Sequence, residues 1–155
     1  MVQTYEGERV VGDAMKIAVV VARFNDYITE RLLAGAIDAY RRHGGNPDDL
    51  HVAHVPGSFE LGSTARKFAD SGYDAVVCLG CVIRGETDHY DQVVMGATEG
   101  VARVGAETGV PTIFGVITVS SMEQAIDRAG GKQGNLGASA MVSAIEMVNL
   151  GRKLD

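Results

Sequence analysis

Positive charge, cysteine and long apolar runs are all scarce in this chain, and each shortage removes a class of function. Lys and Arg number 14 against 20 Asp and Glu, a formal net charge of −6. Affinity for a nucleic-acid backbone comes from neutralising phosphates with Lys and Arg. No nucleic acid is therefore expected as a partner, although one small phosphate bound locally stays compatible. The only two cysteines form Cys78-Leu79-Gly80-Cys81 inside the apolar run Ala75–Ile83, which reads as a strand. Residues three apart on a strand point to opposite faces. A redox pair starts a helix instead, and no second pair exists to complete a zinc site. Both cysteines are read as buried small hydrophobes. His51 and His54 share that spacing on a predicted strand and are likewise rejected as a metal pair, so no metal is expected. The longest purely apolar run, Ile17–Ala22, is far short of the ~20 residues of a membrane span. The first residues lack the basic-then-apolar layout of a signal peptide. The expectation is a cytoplasmic protein with no membrane partner.

What is present suits one domain over residues 1–155. A chain of 16.4 kDa should expose roughly 7,500 Å² when folded, burying about two-thirds of its surface without a disulfide or metal. Glycine, at 20 of 155 residues, is nearly twice the usual ~7% and implies tight turns and close backbone approaches.

Four apolar runs alternate with helical patterns. Residues 16–22 predict a buried strand, and Asn25 or Asp26 a cap for a helix with Ile28, Leu32, Ala36, Ala39 and Tyr40 inward. That helix ends at His43-Gly44-Gly45. Residues 50–55 predict a second strand and 59–71 a helix; 74–83 a third strand and 90–107 a long helix; 112–119 a fourth strand. Ser120 or Ser121 would cap a short helix, a Gly-rich hinge would cover 130–137, and a last helix 138–150. Strands alternating with helices imply right-handed crossovers and a parallel sheet covered on both faces, an α/β class. Residues 1–14 fall outside this cycle, and 2–5 could form an extra strand.

In open α/β sheets ligands bind beyond the carboxyl ends of the strands. Four segments lie there: Arg23-Phe24-Asn25, Pro56-Gly57-Ser58-Phe59-Glu60, Arg84-Gly85-Glu86-Thr87-Asp88-His89, and Thr118-Val119-Ser120-Ser121. The third is either an anion site, built from successive N–H groups and a helix dipole, or a polar loop with an N-cap. Gly85 lets backbone approach a ligand, and Thr87 adds a hydroxyl, whereas Glu86 and Asp88 would have to point away from an anion. His89 is the one imidazole in these four segments, and reads equally as a surface histidine or a proton carrier. Phe24 could pack in the core or stack on a flat heterocycle. Phe114 reads as core. Glu60 gains from the dipole of its helix whatever its function. Arg128 is either a helix C-terminal cation or, with Lys132, a phosphate ligand.

No G-x-G-x-x-G follows the first strand, and no P-loop or G-x-S-x-G elbow is present. Dinucleotide oxidoreductases, P-loop enzymes and α/β-hydrolases drop out. The segments Arg23-Phe24-Asn25, Val55–Leu61, Leu79–Tyr90, Ile113–Thr118, Glu123–Gly130 and Ser143–Met147, in that order, resemble the 6,7-dimethyl-8-ribityllumazine synthase family from about Met15 to the last helix.

The resemblance implies a three-layer αβα sandwich on a four-stranded parallel sheet, with the N-terminal strand added to a neighbouring subunit's sheet. It implies a cofactor-free condensation of 5-amino-6-(D-ribitylamino)uracil with 3,4-dihydroxy-2-butanone 4-phosphate in riboflavin synthesis. Phe24 would stack on the uracil. Ser58, Phe59 and Glu60, with Cys81, Val82 and Ile83, would bind the pyrimidine and its ribityl chain. Gly85, Glu86, Thr87 and Arg128 would hold the phosphate, and His89 would transfer protons. Phe114 and Arg128 would reach a neighbour's pocket. Family members are pentamers, some assembling twelve pentamers into a 60-subunit shell that can enclose riboflavin synthase. Three positions depart from the family: Ser58 where Ala is common, Gly62 for a usual Pro, implying a looser helix start, and Leu136 for a second hinge Lys, implying weaker phosphate binding. The competing expectation is a weakly catalytic flavin- or lumazine-binding or shell-forming paralogue.

Overall fold

A computed structural model describes all 155 residues. Its strands are β1 (Ile17–Ala22), β2 (His51–Val55), β3 (Ala75–Ile83) and β4 (Thr112–Val119). They form one parallel sheet in the order β2-β1-β3-β4. The helices between them are α1 (Asp26–Arg42), α2 (Leu61–Ala69) and α3 (His89–Thr108). After β4 come α4 (Met122–Arg128), the short strands β5 (Ala129–Gly131) and β6 (Gly134–Asn135), and α5 (Leu136–Leu154). No helix is long and apolar enough to cross a membrane.

The period of two along β1 and β3 sorts their side chains into two cores. Ile17, Val19, Val21, Val77, Leu79 and Cys81 pack with α1 and α5 residues, including Leu32, Met141 and Ile145. Val20, Ala22, Val76, Cys78 and Val82 pack with α2 and α3 residues, including Leu61, Ala65, Val101 and Val104. The sheet is thus sandwiched between helical layers, as the sequence predicts. Burial of β1 and β3 on both faces explains their unbroken apolar runs. Cys78 and Cys81 fall in opposite cores, unbonded.

Several expectations need correction. The Gly-rich stretch is not an open hinge. Residues 129–135 form an antiparallel hairpin, with Gly130 and Gly134 at positive φ. The last helix begins at Leu136, two residues early, and runs to Leu154. Asn135 caps it, its side chain accepting from the Ala138 N–H at 3.1 Å. The helix expected over 59–71 is a 3-10 turn, Ser58–Glu60, followed by α2. Ser121, of the two serines proposed, caps α4. Residues 2–5 make no ladder within their own chain. Residues 6–13 run along α5 instead: Asn149 donates to the Glu8 and Val10 carbonyls at 2.6 and 2.8 Å, and Lys153 to Glu6 at 2.6 Å.

Gly62 does not simply loosen a helix start. It is buried where α2 crosses α3, and a Cβ there would come within 2.8 Å of the Gly100 Cα. Any side chain, proline's ring included, would push α3 away. Gly62→Ala should cost about 1–3 kcal/mol in chemical denaturation, the usual penalty of overpacking.

Burial pushes the Cys78 thiol up to about 12 and the Cys81 thiol up to about 11. In the unfolded chain both ionise near ~8.5. Folding therefore favours the neutral thiols, and this contribution is intact below that pH and lost as pH rises toward 11–12. Unfolding free energy should fall above about pH 9, less so in Cys78→Ala. Iodoacetamide at pH 8 should label neither thiol until the protein is unfolded.

Candidate active site

The carboxyl ends of the strands are not level. β1 is paired with β3 only as far as Val21 opposite Leu79, while β3 continues with β4 to Ile83 opposite Val119. Residues 80–83 therefore extend beyond the last β1 pairing, at the point where strand order reverses. Such a switch point is where α/β sheets hold ligands.

The loops around it are stitched together by backbone. Arg23 N–H donates to Val55 O at 2.8 Å, and Phe24 N–H to Pro56 O at 3.0 Å. The Asn25 side-chain amide donates to Cys81 O at 2.8 Å. Asn25 precedes α1 in a left-handed conformation, φ 64°, and its side chain caps nothing. The cap expected of it is made by its backbone carbonyl, which accepts from Ile28 and Thr29. Glu60 Oε1 accepts from Gly57 N–H at 3.0 Å, tying the turn before α2. Ser58 is buried against Gly80, where a Cβ would collide with its hydroxyl.

Two aromatic rings stand at this edge without a core to fill. Phe24 is 72% exposed and Phe59 60% exposed. Phe59 lies against Gly96 of α3, where a Cβ would strike its ring. Core packing, the alternative open for Phe24 in the sequence, is excluded. Cys81 and Val82 are buried, and Ile83 partly so, leaving mainly their backbone at the edge.

Residues 84–89 are exposed. The backbone N–H groups of Gly85, Glu86, Thr87 and Asp88 have no backbone partner. His89 is the first residue of α3, and its N–H donates to Thr87 Oγ1 at 3.3 Å. Arg84 does not reach into the loop. Its guanidinium donates to Asp91 Oδ1 at 3.4 Å and lies 4.3 Å over the Tyr90 ring.

Two predicted residues stand apart. Phe114 lies inside β4, level with Cys78, whereas Phe24 is beyond the end of β1. Strand rise and spacing put them roughly 16 Å apart. Phe114 is 37% exposed on an edge strand, so its reading as core is corrected. Arg128, at the end of α4, is exposed and donates to Gln124 O of its own helix at 3.3 Å. Leu136, the first residue of α5, is partly buried and packs against the core that α1 and α5 share. Two surface clefts of the chain lie along α5, away from this edge.

The family model of 6,7-dimethyl-8-ribityllumazine synthase matches residues 14–152. The chain belongs to that family. Among solved structures, a de novo designed Rossmann fold protein is similar at 17% identity and a TM-score of 0.43, covering 78% of this chain and 99% of that one. That likeness carries no argument about function. Membership in the synthase family makes the chain one of the lumazine synthases of riboflavin biosynthesis, an enzyme acting on small molecules.

Sequence reading missed the role of Asn25, assigning it only a cap. The available signal was an Asn directly after a strand and an aromatic, a residue type that tolerates positive φ. It also missed Gly96 as the seat of Phe59.

The exposure of the aromatic rings has a measurable consequence. Phe24→Ala and Phe59→Ala should change stability by less than about 1 kcal/mol. Leu61→Ala, in the adjacent core, should cost about 2–5 kcal/mol. Equilibrium denaturation of the three variants tests the contrast.

Proposed function

We propose that the protein condenses 5-amino-6-(D-ribitylamino)uracil with 3,4-dihydroxy-2-butanone 4-phosphate to form 6,7-dimethyl-8-ribityllumazine. The observation that carries this is the uneven strand edge, where an exposed Phe24 ring stands beside the β3 extension and an unpaired N–H row. A flat uracil suits the Phe24 face. Ser58, Phe59, Glu60 and the backbone of Cys81, Val82 and Ile83 bind the pyrimidine and ribityl chain. The N–H groups of Gly85, Glu86 and Thr87 receive the phosphate, with Arg128 as its cation.

The 5-amine attacks the ketone, forming an imine with loss of water. Removal of the C3 proton then expels phosphate from C4 and leaves an enol, which tautomerises to a new ketone at C3 with a methyl at C4. The ribityl-bearing nitrogen closes the ring on that ketone with loss of a second water. His89 relays protons in these steps, at the edge where both substrates meet. Holding the two substrates together supplies much of the acceleration, and the residues themselves carry the reaction without a cofactor.

The site is completed by a neighbour. The roughly 16 Å between Phe24 and Phe114 supports Phe114, and with it Arg128, serving the next subunit's pocket. The chain exposes 8483 Å², more than the roughly 7,500 Å² of a compact monomer of this mass. The exposed Val2, Tyr5, Met122 and Ile126 add apolar surface. These features support a homopentamer in which residues 2–5 add to the neighbour's sheet, alone or as part of a shell that encloses riboflavin synthase. The proposed compartment is the cytoplasm.

Incubation with both substrates, followed by lumazine absorbance and phosphate release, tests the reading. Equal amounts of lumazine and phosphate are expected. No product, with the pyrimidine still bound tightly, would favour the weakly catalytic binding or shell paralogue. His89→Ala should lower kcat by about 100-fold with little change in KM. Arg128→Ala should raise KM for the phosphate substrate by about tenfold, as loss of a charge-assisted pair does. Light scattering should give a mass of at least five times 16.4 kDa.

A further inference from the structure

Phe24 is held in place almost without packing. Its ring is 72% exposed, so the direction of that aromatic face is set by the backbone on either side. On one side, the Phe24 N–H is fixed to Pro56 O at the end of β2. On the other stands Asn25, one of two non-glycine residues at positive φ, 64°. Glycine would take that conformation at less cost. Asn brings a side chain that glycine lacks, and the amide donates to Cys81 O at 2.8 Å.

That bond stands where a strand would have stood. Beyond Val21 opposite Leu79, β1 turns away and β3 goes on alone along that side. The Asn25 amide takes up the Cys81 carbonyl there, which holds the turn carrying Phe24 against the β3 extension. The same residue's backbone carbonyl accepts from Ile28 and Thr29, anchoring the turn to the start of α1.

We propose that Asn25 is a positioning residue, its amide fixing the width of the slot between the aromatic face of Phe24 and the backbone of Cys81–Ile83. A flat pyrimidine lies in that slot, so the inference rests on the function proposed above and deepens it. Loss of the amide lets the two walls move apart, and a displacement of about 1 Å is enough to cost a large factor in productive binding.

Two variants separate the amide from the backbone conformation. Asn25→Gly keeps the positive φ and removes the donor. Asn25→Asp keeps size and φ preference, but its carboxylate only accepts and faces another acceptor at Cys81 O. Both should raise KM for the aminouracil by about tenfold and leave KM for the phosphate substrate within about twofold. Their melting temperatures should stay close to wild type. The Asn25→Asp variant carries a further signature. As pH falls toward the ordinary carboxyl range near ~4, the protonated acid becomes a donor. Its Kd for 6,7-dimethyl-8-ribityllumazine, read by fluorescence, should then approach the wild-type value in the same buffer. Asn25→Gly should show no such recovery.

Unchanged aminouracil KM in Asn25→Gly would overturn the proposal, as would equal losses for both substrates or an Asn25→Asp defect that ignores pH. A wild-type protein that binds neither aminouracil nor lumazine would instead overturn the function itself, and this inference with it. The wild-type titration run beside the variants tells those two failures apart.

Discussion

β3 outlasts β1, and most of what is distinctive here follows from that mismatch. β3 has nine residues, the first eight buried, with β1 on one side and β4 on the other. β1 has six and ends before it. Had the two ended level, the turn after β1 would have been an ordinary loop above a closed sheet edge. Because they do not, a length of β3 backbone lies open at the reversal of strand order. Arg23, Phe24 and Asn25 are folded over it and tied to β2 and β3 by three hydrogen bonds. The helical layers fix the sheet in place, and the unequal strand lengths determine where it can meet a ligand.

The parts legible in the sequence were those set by period and composition. β4 occupies the predicted residues 112–119, and the apolar runs of β1 and β3 gave away burial on both faces. The opposed burial of Cys78 and Cys81 followed from strand parity alone. The parts that were illegible depend on distant neighbours. Residues 130–137 read as a hinge because glycine is a poor helix former, but Gly137 sits in α5 where a Cβ would collide with the Leu32 backbone. There glycine permits a close crossing of α1 and α5. Gly62 misleads in the same way. Its effect lies in the approach of Gly100 from α3, 38 positions along the chain, and no local rule sees that.

The site was legible as a set of loops but not as a geometry. Its segments were identifiable from their places after strands, and the resemblance supplied roles. The predicted strand already put Phe114 near its start, and the resemblance had Phe24 facing a ligand; neither indicated that Phe59 would stand nearly as exposed as Phe24. Exposure of this kind costs solvation and returns nothing to the fold of a single chain. Rings held outward by hydrogen-bonded turns make sense as surfaces awaiting a ligand or another subunit.

Charge sharpens the same point at the loop proposed for phosphate. Residues 84–91 carry one guanidinium, at Arg84, and three carboxylates, at Glu86, Asp88 and Asp91. The guanidinium is already engaged by Asp91 and stacked on Tyr90. The unpaired N–H groups can cradle an anion, but the side chains around them are net negative and would oppose one. A phosphate held there needs a cation from beyond the loop. Leu136, partly buried against the core, supplies none, which makes Arg128 the more important to the proposed phosphate site. Its guanidinium is exposed, and its one hydrogen-bond partner is a carbonyl of its own helix. If Arg128 serves the next subunit's loop, as proposed above, a loop with donors but excess negative charge is matched by an uncommitted cation, and phosphate binding depends on assembly. Dilution to free subunits would then weaken the phosphate end of the site before it disturbed the fold around Phe24.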